Sequence, residues 1–125
     1  MKRLVLESWL LLLYFDWIMR WREFRELHRI VQEEPVRPTT SARFAPYEEL
    51  CRAMDYACVL YFKRVLCLQR SAATAIVLRR HGWSAEMVIG AQVLPFKSHA
   101  WCEVSGAVVN DKPYVRDIYE VLERC

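Results

Sequence analysis

Cys67, His99 and Asp111 occur in that order, and their types are the parts of a cysteine nucleophile. They supply a thiol, an imidazole to take its proton and a carboxylate to orient the imidazole. Cys67 opens a helical segment, CLQRSAATAIVLRRHG, while His99 lies in the strand-like SHAWCEV and Asp111 ends the next alternating run, AVVND. A free thiol titrates near ~8.5 and is mostly protonated at neutral pH. The unpaired amides of a helix's first turn and a neighbouring imidazolium both favour the thiolate, and Cys67 has the address for the first of these. Its own backbone N–H would give one donor to a tetrahedral oxyanion; the second donor is unassigned.

His99 and Asp111 can meet only from one face of a hairpin, directly or diagonally opposed. A two-residue turn at Ser105–Gly106 would pair Val104 with Ala107 and send Asp111 to the wrong face. A three-residue loop, Ser105 to Ala107, pairs Val104 with Val108, sets Trp101 opposite Asp111 and makes His99 its diagonal neighbour. A three-residue loop or a bulge is therefore expected. Trp101 and Glu103 share the His99 face; the tryptophan either shields the imidazole or only packs, and Glu103 is the alternative orienting acid. Cys102 faces the other way, into the core. Arg70 and Trp101 are the candidate substrate-binding residues, although a structural salt bridge suits Arg70 equally. Taken singly, a helical cysteine or a strand histidine is a structural residue; only their joint placement favours catalysis.

The elements that must position these residues fit in one domain of 125 residues. An apolar share of 54% with 3 Gly and 5 Pro fits a globular chain. The net charge of +3 is scattered, and Arg20, Arg22, Arg25 and Arg29 alternate with Glu23 and Glu26 on a solvated helix face, so no nucleic-acid footprint stands out. Five cysteines without a CxxC pair suggest neither a disulfide framework nor zinc, and favour a reduced cytoplasmic setting. No second His or Cys stands at ligand spacing from His99, so neither metal nor cofactor is expected.

The apolar run Trp9 to Phe15 is too short to span a bilayer and is bracketed by Glu7 and Asp16, which disfavours a membrane partner. Leu6, Leu10, Leu13, Trp17, Trp21 and Phe24 recur at helical steps and form a core or partner-facing stripe. Residues 3–33 thus read as one helix or two joined ones. The loop PVRPTTSARFAP follows, and Pro46 is expected at the first position of the next helix, which runs to about Phe62. Its Cys51 and Cys58 are small buried hydrophobes. His81 and Gly82 close the nucleophile helix. After Trp83 the period changes to two, giving AEMVIGAQV, SHAWCEV and AVVND as an antiparallel meander. Tyr114 to Cys125, with Val115, Ile118, Tyr119 and Leu122 on one side, is expected as a closing helix. The pattern is α+β.

Cys-Leu-x-Arg-Ser, Leu-Arg-Arg-x-Gly and His-Ala-Trp-x-Glu, with AEMVIGAQ and VVND, resemble the transglutaminase-like cysteine peptidases of bacterial lasso-peptide biosynthesis over about residues 46–122. The resemblance implies an α+β papain/transglutaminase-like fold: N-terminal helices, a nucleophile helix packed on a small antiparallel sheet, and a C-terminal helix. It makes Cys67 the nucleophile, His99 the general base and acid, and Asp111 the orienting carboxylate. Cys102 departs from the aliphatic residue expected there. Such enzymes remove the leader from a ribosomal precursor peptide, and an ATP-using, asparagine-synthetase-like cyclase then closes the ring. Residues 1–45 contain no strands, so the chain resembles the stand-alone form that works with a separate leader-binding protein of winged-helix type. Residues 1–45 are then a partner-docking helix and loop, and residues 46–125 the peptidase core. Two rivals stay open: acyl transfer by the same triad, as in a transglutaminase or N-acyltransferase, and a non-catalytic interaction module.

Overall fold

A computed structural model describes residues 1–38 and 45–125; most of the proline-rich loop expected between the helices, residues 39–44, lies outside the described residues. The N-terminal segment is two joined helices, α1 (Lys2–Trp21) and α2 (Phe24–Glu33). The face that α1 buries carries Leu11, Leu12, Phe15 and Ile18, whereas Leu6, Leu10, Leu13, Trp17 and Trp21 are exposed, as is Phe24. The stripe expected as core or partner-facing is thus the outward one and not the core. α1 is apolar on both sides, so periodicity alone cannot choose between them; polar anchors do. The Leu12 carbonyl accepts a hydrogen bond from Gln69 Nε2 at 2.8 Å, and Asp16 accepts one from the Tyr61 hydroxyl at 2.6 Å.

Helix α3 spans Tyr47–Leu60, with Pro46 as its N-cap residue and not, as expected, at the first helical position. Helix α4 spans Cys67–Arg80. Its alanines Ala72, Ala73 and Ala75 are fully buried, so α4 lies close against its neighbours, and Ile76 and Leu78 fill the space between. Each of those two larger side chains contributes about 1.5–3 kcal/mol of burial. Gly82 follows at φ 91°, a left-handed stop that only glycine adopts without strain.

The remaining chain forms an antiparallel sheet from β1 (Ala85–Gln92), β2 (Lys97–Val104), β3 (Ala107–Val108) and, after the short helix α5 (Val115–Ile118), β4 (Glu120–Arg124). The order is β3-β2-β1-β4. The fold class is α+β, as the sequence implies, but the closing helix is a single turn followed by a strand. Val115, Ile118, Tyr119 and Leu122 fit a helical period, yet β1 offers an open ladder edge that local pattern does not register. Cys125 and Met87 exchange both backbone hydrogen bonds at 2.9 Å. The buried Arg79 guanidinium fixes that end, donating to the carbonyls of Cys125 at 2.7 Å and Ala85 at 2.9 Å as well as to that of Val31.

One cluster of buried side chains runs from Leu11 and Phe15 through Leu27, Met54 and Leu78 to Met87, Cys102 and Val104. The helices before residue 45 therefore share their core with the rest.

Candidate active site

Strand alternation places Ala100, Cys102 and Val104 on the β2 face that meets α4, where the Cys102 thiol donates to the Ser71 carbonyl at 3.0 Å. His99, Trp101 and Glu103 occupy the other face. There Trp101 is fully buried with Val88 and Val115, and Tyr119 packs against them.

The β2–β3 turn is not the three-residue loop expected. Ser105 and Gly106 form a two-residue turn, both with positive φ (51° and 80°), which pairs Val104 with Ala107 and Glu103 with Val108. Regular alternation would then turn Asp111 away from His99. The chain avoids this by leaving the ladder early. Val109 N–H still donates to the Cys102 carbonyl at 3.0 Å, but the Cys102 N–H is taken at 2.7 Å by the side-chain carbonyl of Asn110. The Asn110 amide group then donates to Ser71 Oγ at 3.3 Å. With the strand ended by its own side chain, Asp111 is free of the alternation, and its Oδ2 accepts a hydrogen bond from His99 Nε2 at 2.5 Å. Its Oδ1 accepts from Lys112 N–H at 2.7 Å, which fixes the carboxylate.

His99 Nδ1 is thereby left as the nitrogen available to a thiol. The imidazole joins a cluster of three rings, 5.3 Å from Tyr119 and 6.2 Å from Trp101, which are themselves 6.3 Å apart. Tyr119 and Trp101 close over Gly90, which pairs with His99 across the β1–β2 ladder. Glu103, the alternative orienting acid, is otherwise engaged: it accepts from Trp101 Nε1 at 2.8 Å and from Arg124 at 2.9 Å. Burial alone would raise its carboxyl, but these hydrogen bonds and the charges of Arg124 and Arg116 hold it below the ordinary glutamate value.

Cys67 stands exposed as the first residue of α4. The helix start is braced by Gln69, whose Oε1 accepts from Leu66 N–H at 3.3 Å. The other four cysteines are more enclosed. Burial pushes Cys51 and Cys125 up to about 11, raises Cys58 and raises Cys102 furthest. The structure therefore brings His99 and Asp111 together, and the Ser71–Asn110 contact ties the first turns of α4 to the segment that carries Asp111. Among the described residues no hydrogen bond joins Cys67 to His99.

Arg70 pairs with Asp55 of α3 and keeps part of its side chain exposed, whereas Trp101 exposes none of its surface and is not presented to a substrate. His81 terminates α4 and contacts Glu7 at 3.2 Å. Sequence reasoning missed Tyr119, hidden inside a helical period, and Asn110. The second had a signal: asparagine after a β run offers its side chain to the backbone and ends strands.

The Transglutaminase-like superfamily matches residues 9–124. Over 56 residues the chain is 43% identical to the microcin J25-processing protein McjB of Escherichia coli. That stretch is 45% of this chain and 27% of McjB, so the chain spans only part of the relative it matches. No solved structure gives a significant match. With the family match covering both the helices and the sheet just described, the chain belongs to the transglutaminase-like superfamily.

Proposed function

We propose that this protein is a cysteine peptidase that removes the leader from a ribosomal lasso-peptide precursor, with Cys67 as nucleophile, His99 as general base and acid, and Asp111 as the orienting carboxylate. The observation that carries this is the 2.5 Å hydrogen bond from His99 Nε2 to Asp111, which leaves Nδ1 for the thiol of the one exposed cysteine. The likeness to a protein named for processing microcin J25 supports the substrate class. In the proposed cycle the bound peptide draws sulfur and imidazole together, since catalytic contacts commonly tighten only in the substrate complex. The sulfur attacks the scissile carbonyl carbon as Nδ1 takes the thiol proton. The C–N bond then breaks, with that proton passing to the departing amine. Water next adds to the thioester, giving its proton to His99; the C–S bond breaks, and the leader's carboxylate and the thiol are released.

The enzyme acts in the cytoplasm beside a separate winged-helix-type leader-binding protein and an ATP-dependent, asparagine-synthetase-like cyclase. The outward apolar face of α1, including Leu10 and Trp17, is the docking surface for one of them. No described helix is long and apolar enough to cross a membrane.

Mass spectrometry of a lasso precursor mixed with this protein and a leader-binding protein tests the proposal. Cleavage adds one water across the two fragments, whereas transfer to an amine joins the acyl group to that amine. Cys67→Ala is expected to cost several powers of ten in rate. Unchanged processing by that variant, or an amine adduct as product, would refute it.

A further inference from the structure

The amino end of α4 opens onto a groove of about 450 Å³ whose walls include Arg20 from α1, Lys63 and Arg64 from the turn between α3 and α4, and Leu66, the residue just before Cys67. Three cations stand there against one carboxylate, Asp16. That carboxylate is already engaged by the Tyr61 hydroxyl at 2.6 Å and by Lys63 at 2.9 Å. Neither Arg20 nor Arg64 closes an ion pair among the described residues. The unpaired amides of α4's first turn add field of the same sign. Arg20 rests over the Trp21 ring at 6.0 Å, which leaves its N–H donors open, and two guanidinium groups outside any ion pair beside a helix start are chemistry for a carboxylate, which they can hold through paired donors.

We propose that this groove binds an acidic side chain of the peptide cleaved at Cys67, so that the substrate class is a peptide with Asp or Glu close to the scissile bond. The inference rests on Cys67 being the nucleophile, because only then does the groove flank the reacting carbonyl. Arg20 and Arg64 are specificity-determining residues under this assignment, and Leu66, which lines the groove, adjoins Cys67 in the chain.

Competing alkylation separates the two claims. The thiol of the full chain is reacted with iodoacetamide, which is neutral, and with iodoacetate, which is anionic; in each the sulfur displaces iodide from carbon. Both rates are referred to those of N-acetylcysteine amide, and labelling at Cys67 is confirmed by peptide mapping. Two net positive charges acting through water over about 8 Å enrich an anion about fivefold at low salt. The iodoacetate-to-iodoacetamide ratio is therefore expected about fivefold above that of the reference thiol. It should fall towards the reference value in Arg20→Gln/Arg64→Gln and below it in Arg20→Glu/Arg64→Glu. A native ratio equal to the reference, or a ratio indifferent to both double variants, overturns the groove assignment. Sluggish iodoacetamide labelling of the native chain counts instead against Cys67 as nucleophile, because the ratio cancels intrinsic reactivity.

Discussion

Replacing Gly90 by alanine adds one methyl group beneath the ring stack that holds His99. The new Cβ would lie 2.8 Å from Trp101 Cη2 and 2.8 Å from Tyr119 Cβ, well inside van der Waals contact. Neither neighbour yields cheaply: Trp101 is fully buried with its Nε1 fixed on Glu103, and a Cβ moves only with its backbone, here at the start of β4. Overpacking of this kind costs about 1–3 kcal/mol. Against it stands the gain from restricting the unfolded chain, about 0.4–1 kcal/mol, which applies because Gly90 is not in the left-handed region. The steric effect wins, leaving roughly 1–2 kcal/mol of net destabilisation. With an unfolding entropy of about 2.1 cal/mol/K per residue, that lowers Tm by about 4–8 °C. Thermal unfolding followed by circular dichroism measures it, with iodoacetamide labelling of Cys67 expected to slow in parallel as the imidazole shifts. Gly106→Ala is the contrast: at φ 80° with nothing within 4 Å of its added Cβ, it bears only the left-handed backbone cost, about 1 kcal/mol. A Gly90→Ala protein as stable as the parent, or more so, would refute the close packing of Trp101 and Tyr119 over β1.

Other outcomes follow from the same geometry. Asp111→Ala should lower peptide cleavage by about three to four powers of ten, read as kcat on the precursor, because nothing then holds the imidazole in its productive tautomer or stabilises its charged form. Glu103 and Asp16 are held below their ordinary values of 4.5 and 3.8, so the stability they contribute is present above those values and is lost as pH falls through the folded ones. Tm should therefore fall on acidification below about pH 4.5, and less steeply in Glu103→Gln. At the alkaline end the sign reverses: the unfolded Cys51 and Cys125 thiols ionise from 9.0 upward while the folded ones resist to about 11, so stability declines across that window. Replacing both by alanine should flatten the decline. Leu10→Asp and Trp17→Asp, both on the exposed face of α1, should leave Tm nearly unchanged while abolishing co-purification with the leader-binding protein or the cyclase; retained binding would refute docking through that face.

Helix α4 and the strand of His99 are legible because their boundaries are written locally. A run from Cys67 to a glycine stop gives α4, and alternation gives β2. What the sequence concealed lies in contacts made at long range. The partner of β1 on its outer edge is β4, whose residues carry a helical period; only pairing across 36 positions, as in Val88 with Arg124, turns them into strand. The face of α1 was hidden by too much hydrophobicity, since Leu6 and Leu10 look as suited to a core as Leu11 and Leu12 do. The pairing of His99 with Asp111 was expected through a loop that does not form. The structure makes the same contact by another route, ending β3 with the Asn110 side chain after a tighter turn. Backbone register is a cooperative property of two strands and a turn, and no residue states it alone.

The contrast between Cys67 and its four sheltered siblings governs how the protein ages outside a reducing environment. Peroxide or air will find one sulfur first, because the exposed thiol is the one an oxidant reaches most readily. Damage will then run either to the irreversible sulfinic form or to disulfide-linked pairs of molecules bridged Cys67 to Cys67. Fresh reductant rescues the second and not the first, so storage history alone can decide whether a preparation looks inert.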